Sequence, residues 1–218
     1  MLLHGLIPAS RANGPGLRAV VFFQGCKVGC VGCWNPRSHP FHGAEVTVDA
    51  VVQEVLRARQ EHTLEGVTFS GGEPMQQADS LLDLMHILHR QAPDLTFGMF
   101  SGYAEHELAK GQYWIWGGGT SEQHRKRLWQ EIRASLDFAV LGRFIQAQPS
   151  NMPLRTSRNQ VLRLFNDRYS PADFSEQLTE VSIKEGGQVE VTGFPTLGLP
   201  WQEPHLAFRS ARETWFRC

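Results

Sequence analysis

Apolar positions follow two periods along the chain. Arg18-Ala-Val-Val-Phe-Phe-Gln24 is an unbroken β-branched and aromatic run between Asn13-Gly-Pro-Gly16 and Gly25, and it predicts a buried strand. After Thr47 the period lengthens: Val48, Val51, Val52, Val55 and Leu56 mark one face of a helix that the Thr47 hydroxyl would cap. Gly66–Ser70 predicts a second strand, ended by Gly71-Gly72. Leu81, Leu82, Leu84, Met85 and Leu88 give a second amphipathic helix over 77–90, and Leu95–Phe100 reads as a third strand. A short helix is expected over 104–110. A Thr120/Gln123 capping box should open a longer one to about Ala134. Strands over 136–141 and 159–165 follow, separated by a loop with two prolines. Val181–Lys184 and Gln188–Thr192, around Gly186-Gly187, suggest a terminal hairpin.

Strands alternating with helices imply parallel pairing through right-handed crossovers. About six strands are too few for a complete eight-stranded barrel of ~250 residues. The expected class is therefore α/β: a partial, open (β/α)6-type barrel, or a doubly wound sheet, with a C-terminal hairpin extension. A core domain over residues 1–165 would carry an extension, 166–218, packed on it. Such folds bind ligands at the carboxyl ends of their strands. Three special segments obey that rule: the loop after Gly25, Gly71-Gly-Glu-Pro74 and Ser101-Gly102 each follow a strand directly.

Composition narrows the class. The 218 residues are 41% hydrophobic and 20% charged, with a net charge of −1, as in a soluble globular protein. No window approaches the ~20 apolar residues of a membrane span, and the first ten residues lack a signal-peptide pattern. A cytoplasmic protein without a nucleic-acid or membrane partner is expected. Three of the four cysteines, Cys26, Cys30 and Cys33, fall within eight residues, whereas a disulfide framework would spread them along a smaller chain.

The segment Gly25-Cys-Lys-Val-Gly-Cys30-Val-Gly-Cys33-Trp-Asn-Pro36 is a C-x3-C-x2-C run. Three thiolates can hold three irons of a [4Fe–4S] cluster and leave the fourth open, as catalytic metal sites leave a position open. Gly29 and Gly32 would let the loop wrap tightly. The rival is structural zinc in a Cys3His site completed by His39 or His42, although only one C-x2-C pair is present.

These residues, taken in order, resemble the radical S-adenosylmethionine superfamily, and within it the glycyl-radical-enzyme activases. The likeness is greatest to those of anaerobic ribonucleotide reductase, and more distant to those of pyruvate formate-lyase. The matching segments are Asn13–Arg18, Gly32-Cys-Trp-Asn35, Ser70-Gly-Gly-Glu-Pro74, Ser101-Gly-Tyr103, Leu136–Phe144 and Ser157-Arg-Asn-Gln160, over about residues 10 to 165. The resemblance implies one cluster on Cys26, Cys30 and Cys33 that binds S-adenosylmethionine at its open iron. Reductive cleavage would give a 5′-deoxyadenosyl radical, which takes a hydrogen atom from a glycine of a partner enzyme. It also implies a flavodoxin- or ferredoxin-type electron donor.

Cofactor contacts are expected from Gly32 and Trp34 near the adenine, from Ser70, Gly71, Gly72 and Glu73 near the amino group, and from Ser101 and Asp137 near the ribose or carboxylate. For Asp137 a strand-end surface charge is an equal reading. His86 and His89 read as surface, Trp114 and Trp116 as a satellite core, and Cys218 as inert. Arg143, Arg155, Arg158, Arg163 and Arg168 stand against Asp167 alone, which would suit an acidic protein surface or merely a solvated face. The chain extends about fifty residues past the Ser-x-Asn-Gln strand, a departure from compact activases. Other readings are a radical enzyme for a small heterocycle, of the 7-carboxy-7-deazaguanine synthase type, or for a peptide, and a zinc or Fe–S binding module without turnover.

Overall fold

A computed structural model describes residues 1–174, 178–183 and 189–194. The first strand, β1 (Leu2–Ser10), was not anticipated. It is followed by β2 (Arg18–Phe23), the cysteine loop and a two-residue strand β3 (Ala44–Glu45), then α1 (Val48–Glu61), β4 (Gly66–Gly71), α2 (Ala78–Gln91) and β5 (Thr96–Ser101). Helices α3 (Glu105–Ala109) and α4 (Glu122–Ser135) precede β6 (Phe138–Leu141) and β7 (Val161–Leu164). The hairpin is β8 (Thr179–Ile183) with β9 (Val189–Gly193). Its Gly186-Gly187 turn, with Lys184 and Gln188, lies outside the described residues, as does Cys218.

One seven-stranded sheet runs β3-β1-β2-β4-β5-β6-β7, and β8-β9 forms a separate pair. Pairings β2–β4, β4–β5 and β5–β6 are parallel, whereas β1, β3 and β7 join antiparallel. The fold is thus mixed α/β with a parallel centre, and the described strands form no closed barrel. The expected run of six parallel units stops at four strands. Parallel strands need a crossover element, and residues 142–160 between β6 and β7 contain no helix, so β7 returns antiparallel. Strand β1 escaped the pattern because Gly5 and Pro8 interrupt it. The register shifts between Leu3 and Gly5 and between Ile7 and Ser10 absorb those residues, as bulges do.

Alternate residues of the parallel strands feed two cores. Ala19, Val21, Phe23, Val67, Phe69, Phe97, Met99, Ala139 and Leu141 pack with the apolar stripes of α1, α2 and α4. On the opposite face Phe138 and Val140 meet Leu154, Tyr169, Phe174 and Phe194. Thr47 caps α1 as expected, its Oγ1 accepting from Ala50 N at 3.1 Å. The cap of α4 is Ser121, whose Oγ accepts from His124 N at 3.1 Å, one residue beyond the expected Thr120. At the amino ends of the strands, fully buried Arg18 donates to Thr68 Oγ1 (2.8 Å), Thr96 Oγ1 (2.8 Å), Tyr169 OH (3.2 Å) and three backbone carbonyls. Tyr169 passes the contact on to Glu65 at 2.6 Å. This network ties β2, β4, β5 and the segment after β7 together at the end opposite the cysteine loop.

Candidate metal and cofactor centre

Strand β2 delivers the chain to Gly25 at the carboxyl edge of the sheet, and the loop that begins there is moored on both sides. Gly25 N donates to Ser38 O (2.6 Å) and Cys26 N to His39 O (2.8 Å). The buried Gln24 amide donates to Arg37 O (3.1 Å) and Pro40 O (2.7 Å), closing the loop across its base. Gln76, fully buried, accepts from Lys27 N at 2.8 Å and donates to Tyr103 OH at 2.7 Å, which joins the loop to the ends of β4 and β5. Gln77 donates to Leu2 O and Gln24 O.

Cys26, Cys30 and Cys33 are all free thiols and half-buried. Val28 N and Asn35 N each point at a sulfur, Cys26 Sγ and Cys33 Sγ, at 3.4 Å, as amides do toward cluster thiolates. Burial, with the negative charge of Glu73 beside it, pushes the Cys26 thiol up to about 12, and burial also raises Cys33. Such sulfurs become thiolates readily only against bound cations. Gly29 and Gly32 take φ of +71° and +73°, which turns the loop tightly enough to aim three cysteines from one short segment. Three free thiols from one short loop, with two backbone amides aimed at their sulfurs, make a donor set that fits the cluster.

The turn after β4 abuts this loop. Gly72 N donates to Phe23 O (2.8 Å) and Glu73 N to Gly25 O (2.9 Å), so these two amides are spent on the loop base rather than offered to a ligand. A Cβ on Gly72 would lie 2.3 Å from Gly25 O, and one on Gly71, where φ is +99°, 2.6 Å from Phe23 N and O. Only glycine allows the approach. Ser70 is half-buried at the end of β4.

Glu73 is 1% exposed. Its carboxylate accepts from Met75 N (3.0 Å), Ser101 Oγ (2.9 Å) and Gly102 N (2.7 Å), bridging the ends of β4 and β5. Burial raises its pKa to about 7 against these donors. Ser101 is held by Glu73 and itself accepts from Tyr103 N at 3.1 Å.

Trp34 is 41% exposed and meets Phe144 with ring centroids 6.0 Å apart, while a Cβ on Gly32 would strike Gln146. The 142–160 loop therefore forms the second wall of the centre. Asp137 is not there. In the parallel register Ser101 pairs with Leu141 and Gly98 with Phe138, so Asp137 sits at the amino end of β6, roughly 13 Å along the strand from the level of Ser101. Its carboxylate accepts from Phe97 N (2.6 Å) and Asn166 Nδ2 (2.9 Å), a structural fixture of the far edge.

Gln24, Gln76 and Gln77 carry no signal of their own in the sequence, where they look like polar residues at element ends. Trp114 and Trp116 flank Phe41, with centroids 4.9 and 6.3 Å away, and Lys27 Nζ stands 3.8 Å over the Trp114 ring. They buttress the cysteine loop rather than form a separate core. A groove of about 480 Å³ lined by Tyr103, Tyr113, Trp114, Ile115, Gly118 and Arg125 lies behind them. It borders the centre through Tyr103 and Trp114 and holds none of the three cysteines, so the site follows the cysteines and not this groove. No described helix is long and apolar enough to cross a membrane.

Residues 12–163 match the family described as the 4Fe-4S single cluster domain. The chain is 27% identical over 163 residues to the anaerobic ribonucleoside-triphosphate reductase-activating protein of Haemophilus influenzae, covering 72% of this chain and 94% of that one. The protein of the same description from Vibrio cholerae is 26% identical, over 76% and 99%. The pyruvate formate-lyase-activating enzyme of Clostridium pasteurianum is 36% identical over 92 residues, 41% of this chain and 39% of its own length. In structure, QueE from Escherichia coli overlaps 46% of this chain and 52% of its own at 20% identity, with a TM-score of 0.36, too slight an overlap to bear on substrate.

Proposed function

The chain belongs to the 4Fe-4S single cluster domain family, and from that premise we propose that it is a radical S-adenosylmethionine activase that installs a glycyl radical on a partner enzyme. The observation that carries this is the C-x3-C-x2-C loop, set at the carboxyl end of β2 with three free thiols. Two relatives matched over nearly their whole length are reductase-activating proteins. An anaerobic ribonucleotide reductase is accordingly the partner class we favour.

Cys26, Cys30 and Cys33 would hold three irons and leave one for S-adenosylmethionine. Held there, the cluster would supply one-electron reductive chemistry toward S-adenosylmethionine, and with it the means of hydrogen-atom abstraction. The remaining work falls to the protein. Amides of Val28 and Asn35 offset charge on two of the sulfurs, and the Gln24 and Gln76 anchors fix the loop against β4 and β5. The Ser70–Glu73 turn would border the amino acid end of the cofactor, with Glu73 and Ser101 setting the shape of that wall. Trp34 offers a half-open ring face for the adenine beside Gly32. Walls of Phe41, Trp114 and Phe144 keep bulk water from a reactive carbon.

Residues 166 onward are read as an extension that backs the sheet through Tyr169, Phe174 and Phe194, and the open sheet as a partial barrel. A flavodoxin- or ferredoxin-type donor and a cytoplasmic setting accompany the proposal.

The test is anaerobic reconstitution, then iron and sulfide analysis and electron paramagnetic resonance with and without S-adenosylmethionine. About four irons and a signal that changes with the cofactor are expected. Zinc in their place, or a cluster indifferent to the cofactor, would return the chain to the binding-module reading.

A further inference from the structure

The groove behind the cysteine loop has no part in the chemistry proposed above. The segment between α3 and α4 gives it buried Tyr113 and Ile115 and half-buried Trp114, while Tyr103 enters from just past β5 and Arg125 from the first turn of α4. Gly118 and Gly119 form its rim, and a Cβ on either would meet nothing within 4 Å, so no side chain crowds the mouth. Its volume of about 480 Å³ falls among those of small-molecule sites, roughly 300–1,000 Å³.

Two donors of this groove lack acceptors among the described residues. Arg125 commits Nε to Gly111 O (2.6 Å) and Nη1 to Thr120 O (2.5 Å), which fixes the plane of the guanidinium and leaves Nη2 unspent. No carboxylate among the described residues pairs with it: on the flanking helices Asp79 meets His124, and Glu122 pairs with Lys126. Tyr103, 7% exposed, accepts at its hydroxyl from Gln76 Nε2 (2.7 Å) and from Trp114 N (3.3 Å). Both lone pairs are thereby taken, and the phenolic hydrogen still needs an acceptor. Buried donors are rarely left unmet, so the groove calls for oxygen atoms that the protein does not provide. Arg125 is the one charged residue in the lining, which contains no acid.

We propose that the groove binds a small planar molecule carrying a carboxylate or phosphate group. Its anionic oxygens would take Arg125 Nη2 and the Tyr103 hydroxyl, since a held guanidinium suits either group. Its ring would lie against Tyr113 and Trp114, the latter braced from the loop side by Lys27 and Phe41. A neutral or basic ligand would leave the guanidinium uncompensated beside the rings. No cysteine lines the groove, and the proposal stands whether or not the chain is an activase.

The probes are indole-3-acetate and adenosine 5′-monophosphate, each paired with its neutral counterpart, indole-3-acetamide or adenosine. Inorganic phosphate serves as an anion without a ring. Binding to the reconstituted holoprotein, with no reductant present, is read by isothermal titration calorimetry. At least one of the two anions should bind about tenfold more tightly than its neutral counterpart and than phosphate. The indole pair responding alone would identify a carboxylate ligand, and the adenosine pair alone a phosphate. Saturating S-adenosylmethionine should leave the affinity unchanged.

Arg125→Met should lose about tenfold in affinity. Because that change also removes the Gly111 and Thr120 anchors, a second pair of variants is placed at Gln112, which lines the groove, is exposed and has no side-chain hydrogen bond among the described residues. Gln112→Glu should weaken binding about threefold and Gln112→Lys should strengthen it by a similar factor, with the melting temperature unchanged in both. Failure of both anions to bind at up to about 10 mM, or equal affinity for anion and neutral counterpart in both pairs, would overturn the proposal. So would indifference to both Gln112 variants, or displacement of the probe by S-adenosylmethionine, which would make the groove part of the cofactor site.

Discussion

Replacing Gly72 by alanine is the sharpest test of how the cysteine loop is seated. The added Cβ would sit 2.3 Å from Gly25 O, 2.8 Å from Gly25 C and 2.9 Å from Ser38 O, all backbone atoms at the root of the loop. An ordinary carbon–oxygen contact needs about 3.3 Å, so the root must retreat by about 1 Å. No side-chain rotation can absorb that shift, because Gly25 is fixed by Ser38 O at 2.6 Å and by Glu73 N at 2.9 Å. Losing or stretching the Glu73–Gly25 and Gly72–Phe23 hydrogen bonds costs about 1 kcal/mol each, and overpacking adds roughly 1–3 kcal/mol. The total is about 3 to 5 kcal/mol, much of a typical domain's stability, and it falls on the strand-to-loop junction. Iron and sulfide per chain after reconstitution, with the urea midpoint, make the assay. Gly29→Ala is the comparison: nothing lies within 4 Å of its Cβ, so it bears only the left-handed backbone cost of about 1 kcal/mol. Gly72→Ala that loads a full cluster at wild-type stability would refute the close-approach argument.

Cys30→Ala should abolish cluster assembly and all reductive cleavage of S-adenosylmethionine, measured by iron content and 5′-deoxyadenosine release. Glu73 has a pKa of about 7 in the fold against 4.5 for an ordinary glutamate, so its ionisation opposes folding. Stability of the cluster-free chain should fall as pH rises from about 4.5 to 7, by roughly 3 kcal/mol at most, and Glu73→Gln should flatten that slope in urea titrations at several pH values. Arg18→Met should cost about 3–5 kcal/mol by leaving the buried Thr68, Thr96 and Tyr169 oxygens and the carbonyls of Val67 and Thr96 without their donor, against about 1 kcal/mol for Tyr169→Phe, while cluster loading per folded chain stays the same. Asp137→Asn should lower thermal stability by roughly 1–3 kcal/mol yet leave the KM for S-adenosylmethionine unchanged; a raised KM would return Asp137 to the site.

Much of the core was legible because its signals are local. Strand β2 is a continuous buried run, and α1 and α2 keep their stripes. The cysteine spacing and the Gly71-Gly-Glu-Pro74 turn stood out because few other chemistries need those residues so close together. What escaped depended on partners far along the chain. Strand β1 is held by β2 in spite of Pro8, a pairing no local pattern announces. The reversal at β7 follows from what residues 142–160 lack, and Asp137 was misplaced because a strand's polarity decides which end of the sheet a residue reaches. Glu73 was expected to face a ligand, yet it spends its oxygens on Met75, Ser101 and Gly102. Sequence marks such a residue as special without saying whether it serves the cofactor or the frame around it.

The moorings of the cysteine loop have a consequence for damage and repair. Gln24 and Gln76 grip it through uncharged amide side chains bonded to backbone and to Tyr103, and no sulfur takes part in those bonds. An oxidant that strips the irons would remove nothing that holds the seat in place, and neither acid nor salt would loosen neutral contacts of this kind. Recovery would then require only fresh iron, sulfide and reduced thiols delivered to a frame that has kept its shape, a substitution of parts rather than a second round of folding.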